Sequence, residues 1–343
     1  MFFWFVLLTS AVSWLLTGCL RRYALAKNLI DIPNERSSHS TPTPRGGGVA
    51  IVAAFLAVLP VLMLFDFVSV RLCLALWGAG TAVALTGFLD DHGHIAARWR
   101  LLVHFGAALW GLYWLGGLPP LAIFGYVPDW GWFGLVGAAF YIVWLLNLYN
   151  FMDGIDGLAS IEAITACCSG ALMAWLVTPE SSAWLAPAVL AAAVCGFLFW
   201  NFPPARIFMG DAGSGFLGIM LALLSLQAGW LDSRLWWAWL ILLAVFIVDA
   251  TVTLCRRVLR GEKFYEAHRS HAYQYASRTL GSHRPVTLAV CAINIFWLLP
   301  AASLVAAGKL DGVAGLIAAY LPLLYLAYRY KAGDKQAQAS LAE

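Results

Sequence analysis

Apolar residues run along this chain in blocks of helix length, divided by short polar stretches or breaks rich in glycine and proline. About 20 apolar residues carry a helix across the hydrocarbon core of a bilayer. Cut at that length, the pattern predicts eleven spans: 2–20, 46–65, 72–89, 101–117, 132–149, 159–177, 185–202, 213–230, 235–254, 286–306 and 312–329. The first block, Phe2 to Leu20, has no convincing small-residue cleavage site and reads as a retained span. An odd number of spans sets the two termini on opposite sides.

Composition agrees. Of 343 residues, 62% are hydrophobic and 11% charged, against about 25% charged in an average soluble protein. That excludes a disordered chain, a collagen and an ordinary soluble domain. The 17 Trp and 20 Phe suit the membrane–water interface. The expected fold class is all-α, a single polytopic membrane domain over residues 1–343. The net charge of +3 gives no reason to expect a nucleic-acid partner. The seven Cys show no CxxC spacing and read as small apolar side chains.

Lys and Arg set the orientation. The loops 21–45, 90–100, 150–158, 203–212 and 255–285, with the tail from Arg329, hold eighteen of them, and the opposite loops hold only Arg71, Arg234 and Lys309. By the positive-inside rule the first set is cytoplasmic and the N-terminus lies outside. The same loops hold Asp90, Asp91, Asp153, Asp156 and Asp211, and also His39, His92, His94, His268, His271 and His283. The active face is therefore expected to be cytoplasmic and built from these loops, none longer than 255–285.

Five segments carry candidate chemistry. Asp90-Asp91 end the third span, where paired carboxylates want water or a cation, and Mg²⁺ suits carboxylate oxygens shared with phosphates. A solvated helix end paired with Arg98 or Arg100 is the alternative. Asn147, Asn150 and Asp153 recur every three residues, aligning polar groups on one helix face before Gly154, Asp156 and Gly157 break it. In Arg206-Ile-Phe208-Met-Gly-Asp211-Ala-Gly-Ser-Gly, a glycine-rich turn opens a helix whose free N–H groups suit a phosphate, with Asp211 as a metal ligand or a helix cap. Arg256, Arg257, Arg260 and Lys263 precede His268 and His271; the cations alone could set topology or attract anionic lipid. No Cys or third His stands at zinc-ligand spacing beside these histidines. The first basic loop, including Arg36, His39 and Arg45, ends in Gly46-Gly47-Gly48. Taken together, the segments describe a metal-dependent, phosphate-handling site at the inner membrane surface.

The ordered blocks PTPRGGG, FLDDHGH, NLYNFMDGIDGLAS, RIFMGDAGSGFLG and VDATVTLCRRVLRG…HRSH resemble the polyprenyl-phosphate N-acetylhexosamine-1-phosphate transferase family, glycosyltransferase family 4. Its members start O-antigen and related polymers, and the phospho-MurNAc-pentapeptide translocase is a more distant member. The match covers about residues 30–280. The resemblance implies transfer of a sugar 1-phosphate from a UDP-N-acetylhexosamine to undecaprenyl phosphate, releasing UMP. Mg²⁺ would be required, with Mn²⁺ as a substitute. It implies a multi-pass protein of the bacterial inner membrane, in contact with membrane lipid, with a homodimer as a candidate assembly. It assigns Asp211 and Asn150 to the metal and Phe208 to stacking on uracil. Asp156 would recognise uridine, and Arg100 would meet the diphosphate. Asp90 and Asp91 would be the catalytic pair, and His271 aligns with the first of the family's histidines. From the segments themselves, Asp153 and His271 are further catalytic candidates, and Arg206 and His268 are candidates to bind substrate. One departure stands out: many members carry HxHH where this chain reads His271-Ala-Tyr273-Gln274.

The expected chemistry is direct attack of the lipid phosphate on the sugar-bearing phosphorus, with Asp90 or Asp91 removing any residual proton. A two-step route through an aspartyl intermediate remains open. Two rival functions are an intramembrane Mg²⁺-dependent prenyltransferase, which fits poorly with DD and DGxDG spacing, and a transporter, whose charges belong nearer the midplane.

Overall fold

A computed structural model describes residues 2–33, 41–93, 95–262 and 268–334. Arg36, His39, His94 and Lys263 lie outside the described residues. The chain is helical almost throughout, as an all-α polytopic membrane protein must be when no water can satisfy its backbone. Nine of the eleven expected spans each fall on one helix, and the other two are divided between elements. In order these are α1 (Phe2–Ala26), α2 (Val49–Leu64), α3 (Val70–His92), α4 (Ala97–Leu115), α5 (Gly131–Met152), α6 (Leu158–Val177), α7 (Leu185–Asn201) and α8 (Asp211–Leu231). There follow α9 (Ser233–Leu242), α10 (Ala244–Leu259), the short α11 (Ala272–Leu280), α12 (His283–Ile293), α13 (Leu299–Ala306) and α14 (Gly312–Arg329). Among the described residues seven stretches, counting α12 to α13 as one, are long and apolar enough to cross a membrane, and eight if the bent pair α9 and α10 is one span.

The expected span 235–254 is instead two helices, α9 and α10, meeting at 66°. The span 286–306 is one continuous stretch with a π-helical turn at Asn294–Leu298. There Asn294 Nδ2 reaches Glu162 Oε2 and Thr165 Oγ1, both at 2.7 Å, so a buried carboxyl on α6 holds the irregular turn. α2 and α7 are shorter apolar helices.

Helix ends follow local chemistry. Ser69 caps α3 by accepting from the Leu72 N–H, and Asp311 caps α14 by accepting from Val313 and Ala314. α8 is the central element: every residue from Ala212 to Leu226 is buried. It packs on α3 and α5, among others, and small residues let it approach. A Cβ at Gly218 would stand 2.6 Å from Leu146 Cα, and one at Gly87 2.6 Å from the Ala212 nitrogen. α1, α13 and α14 form the rim and expose large apolar side chains such as Phe3, Leu304 and Leu321. Of the cysteines, Cys73 and Cys167 are buried, while Cys19, Cys168, Cys195 and Cys255 are exposed on helices, and all seven are free thiols.

A two-residue ladder joins β1 (Ile30–Asp31) to β2 (Thr43–Pro44). From β2 the chain docks on the turn before α8. The Phe208 N–H donates to Pro44 O at 2.8 Å, Gly47 N–H to Phe208 O at 2.9 Å and Gly48 N–H to Met209 O at 2.8 Å. The glycine run is a packing requirement here: a Cβ at Gly48 would sit 2.4 Å from Gly213 Cα.

Candidate active site

Four helix ends converge at one end of the bundle: the C-termini of α3 and α5, the N-terminus of α8 and the N-terminus of α11. Asp90 and Asp91, adjacent in sequence, do different things. Asp91 is buried and accepts from the backbone N–H groups of Asp211 and Ala212 at 3.2 and 3.3 Å, capping α8 from outside. Arg45 donates to the Asp91 carbonyl. Asp90 turns the other way, pairing with Arg100 and accepting from the Ile95 N–H at 2.8 Å. The same guanidinium lies 3.4 Å from Asp211 Oδ2.

Asp211 stands at the first position of α8, where the N-terminal dipole favours a carboxylate. Gly210 before it has φ 78°, a left-handed conformation that admits glycine and few other residues. Asn150, in the last turn of α5, donates through Nδ2 to Asp211 Oδ1 at 3.0 Å and to Ser214 Oγ at 2.9 Å. Asn147, one turn earlier, bonds back to Val143 O instead.

Two cavities meet at this point. One, of about 340 Å³, is apolar over most of its wall, with Leu101, Phe105, Phe140, Val143 and Trp144; its polar residues include Asp90, Arg100, His104 and Asn147. The other, of about 300 Å³, is polar and is lined by Asp91, Asp153, Asp156, Phe208, Gln274 and His283 among others. Asn150 and Asp211 belong to both walls.

Asp153 follows α5 and faces the polar cavity. Burial pushes its carboxyl well above the usual range, and the carboxylates of Asp211, Asp91 and Asp156 push it further. Asp156 is differently placed: its Oδ2 accepts from the Ala205 N–H at 2.9 Å, and its Oδ1 lies 3.1 Å from His283 Nδ1. With Asp31, five carboxylates thus share one cavity with few cations, an excess of negative charge that a hard divalent ion would offset. Among the described residues no group of three or more His, Cys, Asp or Glu forms an all-protein cage. A small oxygen donor set of this kind would suit Mg²⁺, which takes one or two protein oxygens, substrate phosphates and waters. Asp211 and Asn150, after rotation of its amide, could supply those oxygens.

Of the candidates from the sequence, Asp90, Asp91, Arg100, Asn150, Asp153, Asp156, Phe208 and Asp211 come together around the two cavities. Arg206, His268 and His271 line neither. Arg206 lies over the rings of Phe199 and Trp200, 5.8 and 5.9 Å from their centroids. His271 is 2% exposed, and its Nδ1 lies 3.4 Å from Asp249 Oδ1, out of hydrogen-bond alignment. His268 packs against His271 with ring centroids 4.8 Å apart. Burial, with the charges of His271 and Arg257, lowers the His268 imidazole to about 3. Asp249 accepts from the Ala272 and Tyr273 N–H groups at 2.9 and 3.0 Å, so it seats the start of α11. Tyr273 then donates to Phe151 O at 3.0 Å, and Gln274 reaches the polar cavity. Arg45 and His283 stand in the polar loops, but no spacing in the sequence assigns either to this site. Only the departure from HxHH marked Gln274.

A model described as glycosyl transferase family 4 matches residues 73–229. The chain is 31% identical over 295 residues to a protein of Bacillus subtilis (strain 168) named as a probable undecaprenyl-phosphate N-acetylglucosaminyl 1-phosphate transferase, covering 84% of this chain and 80% of the relative. It is 31% identical over 319 residues to a decaprenyl-phosphate N-acetylglucosaminephosphotransferase of Mycobacterium tuberculosis, covering 82% and 78%. A phospho-N-acetylmuramoyl-pentapeptide-transferase of Streptococcus pneumoniae is 32% identical over 235 residues, covering 64% and 68%.

Proposed function

The chain belongs to glycosyl transferase family 4, and from that premise we propose that it moves an N-acetylhexosamine 1-phosphate from a UDP-sugar to undecaprenyl phosphate. The products are undecaprenyl-diphosphate-sugar and UMP, which would initiate O-antigen or a related surface polysaccharide. The general reaction, a polyprenyl-phosphate hexosamine-1-phosphate transfer, is the one the relatives' names describe. The observation that carries the finer reading is the meeting of an apolar and a polar cavity at Asn150 and Asp211. A prenyl phosphate needs an apolar wall for its chain and a polar end for its head; a nucleotide sugar needs a polar bed. The reacting phosphates of the two would then meet beside Asp211.

The roles follow from position. Phe208 lines the polar cavity, where its ring offers a stacking face for uracil. The Asp156–His283 pair offers hydrogen bonds to the uridine edge. Arg100, held by Asp90, faces the apolar cavity near Asp211, where it would offset the repulsion between the two anions. When bound, Mg²⁺ would neutralise diphosphate charge and stabilise the leaving UMP. A phosphate monoester has its second pKa near about 6, so much of the lipid phosphate arrives dianionic. Asp153 lines the polar cavity with Asp211 and is the best-placed acceptor for a remaining proton. Asp91 is committed to capping α8, so its part is to hold Asp211 in place.

The site would face the cytoplasm of the bacterial inner membrane, where nucleotide sugars are. The match to N-acetylglucosaminyl transferases spans more of the chain than the match to the pentapeptide transferase, favouring a simple N-acetylhexosamine. Membranes containing the protein and undecaprenyl phosphate should exchange labelled UMP into UDP-N-acetylglucosamine. A transporter or a prenyltransferase would leave the label in UMP. A panel of UDP-sugars identifies the donor.

A further inference from the structure

A third cavity, of about 480 Å³, lies apart from the two just described. It is lined by Arg256, Arg260, Tyr328, Arg329, Lys331 and Asp334, at the C-terminal ends of α10 and α14. Four cations against one carboxylate make it strongly positive. Its frame is fixed by backbone contacts: Arg256 Nη1 donates to Ala332 O at 2.8 Å, Arg260 donates to Gly333 O, and the Gly333 N–H donates to Ser270 O at 2.6 Å. Arg260 is also partly neutralised by Glu262 at 3.2 Å. Arg329 sits in the last turn of α14, and the Lys331 ammonium lies 5.3 Å from the Tyr275 ring centroid.

A stripe of exposed apolar side chains leads to this cavity. Ile317, Leu321, Leu324, Tyr325 and Tyr328 on α14 are 43–69% exposed. Their spacing of i, i+4, i+7, i+8 and i+11 keeps them on one face of the helix. The stripe ends at Tyr328, whose ring lies 5.8 Å under the Arg256 guanidinium. Leu259, next to Arg260 in the chain, is 86% exposed.

We infer that this cavity binds the headgroup phosphate of an anionic membrane phospholipid whose acyl chains lie along the apolar face of α14. A free phosphate would use the cations but leave the stripe without a role. A zwitterionic lipid would cover the stripe but offset little of the charge. The continuity of a cationic cavity with an apolar helix face matches a ligand that is anionic at one end and apolar at the other, as basic pockets between spans do.

The test is thermal unfolding of the purified protein in maltoside micelles with added phosphatidylglycerol, phosphatidylcholine of the same chains, or glycerol 3-phosphate. Phosphatidylglycerol should raise the midpoint in a saturable way that fades at high salt, and the other two should not. In the double variant Arg329→Gln/Lys331→Gln the apparent affinity for phosphatidylglycerol should fall about tenfold or more, since each cation contributes on the order of 1 kcal/mol. Arg329→Lys/Lys331→Arg, which keeps the charge, should bind as the wild type does. Equal shifts from the two lipids, or an unweakened response in the Gln variant, would overturn the site. A glycerol 3-phosphate shift as large as that of phosphatidylglycerol would overturn its assignment to a lipid. Should the Gln variant fail to fold, native mass spectrometry of the wild type decides: bound phosphatidylglycerol retained over phosphatidylcholine supports the site, and equal retention refutes it.

Discussion

The Asp91 carboxylate accepts from the backbone N–H of Asp211 at 3.2 Å, so one acidic residue fixes the helix end on which another is carried. Two carboxylates that look equivalent as site candidates are thereby separated. Asp211 presents its side chain to both cavities, while Asp91 is spent on the free N–H groups of α8. Asp211→Asn should lower turnover at least a hundredfold with an almost unchanged melting temperature, because a lost charge at the diphosphate costs several kcal/mol in the transition state. Asp91→Ala should reduce stability by about 1–2 kcal/mol, the cost of a lost cap, and lower activity with it. Parallel melting curves and rates for the pair check the division.

Phe208→Ala should raise KM for the UDP-sugar about tenfold and change kcat less, because stacking on the base holds ground and transition states alike. If Phe208 is only an apolar plug beside the β2 contact, the variant melts earlier with KM unmoved. Measuring both quantities on one preparation separates the outcomes.

His268 gives a pH signature of stability. Its imidazole is lowered to about 3 in the fold, against about 6.5 in an unfolded chain. The folded form therefore stays neutral while the unfolded form takes up a proton below about pH 6.5. The associated stability is complete above that pH and is lost progressively as pH falls toward 3. Between pH 7 and 5 the melting temperature of the wild type should fall more steeply than that of His268→Gln. Parallel slopes would show that His268 protonates in the fold as readily as in water.

Topology is open to labelling. Cysteines introduced at Ser282 and Glu180, both exposed, sit at opposite ends of the spans if the charge asymmetry orients the chain. In a background without the native cysteines, an impermeant thiol reagent applied from outside should modify Glu180→Cys alone. Labelling of Ser282→Cys instead would put the polar cavity on the side without nucleotide sugars.

The helices were legible because apolar runs of bilayer length have few other uses, and nine of the eleven expected spans each lie on one helix. The 66° break between Leu242 and Ala244 was not, since no proline or glycine marks it. The residues around Asp211 were legible because carboxylates, amides and glycines at a span end are costly unless used. What spacing could not convey was direction. Asp90 and Asp91 are neighbours that point to different partners. His268 and His271 pack against each other ahead of α11, yet His271 turns toward Asp249, and neither lines the cavity. His283 stands 127 residues from Asp156 and reaches it only because α12 packs on α6.

The enclosure of α8 on every side has a mechanical consequence. A helix buried along its length cannot slide or rotate without opening voids against all its neighbours at once, and packed interiors resist that strongly. Asp211 at its head is therefore a stationary reference point through the reaction cycle. The polar cavity is also lined by Gln274 on the nine-residue α11 and by His283, the first residue of α12, so any widening of it would fall to such shorter elements.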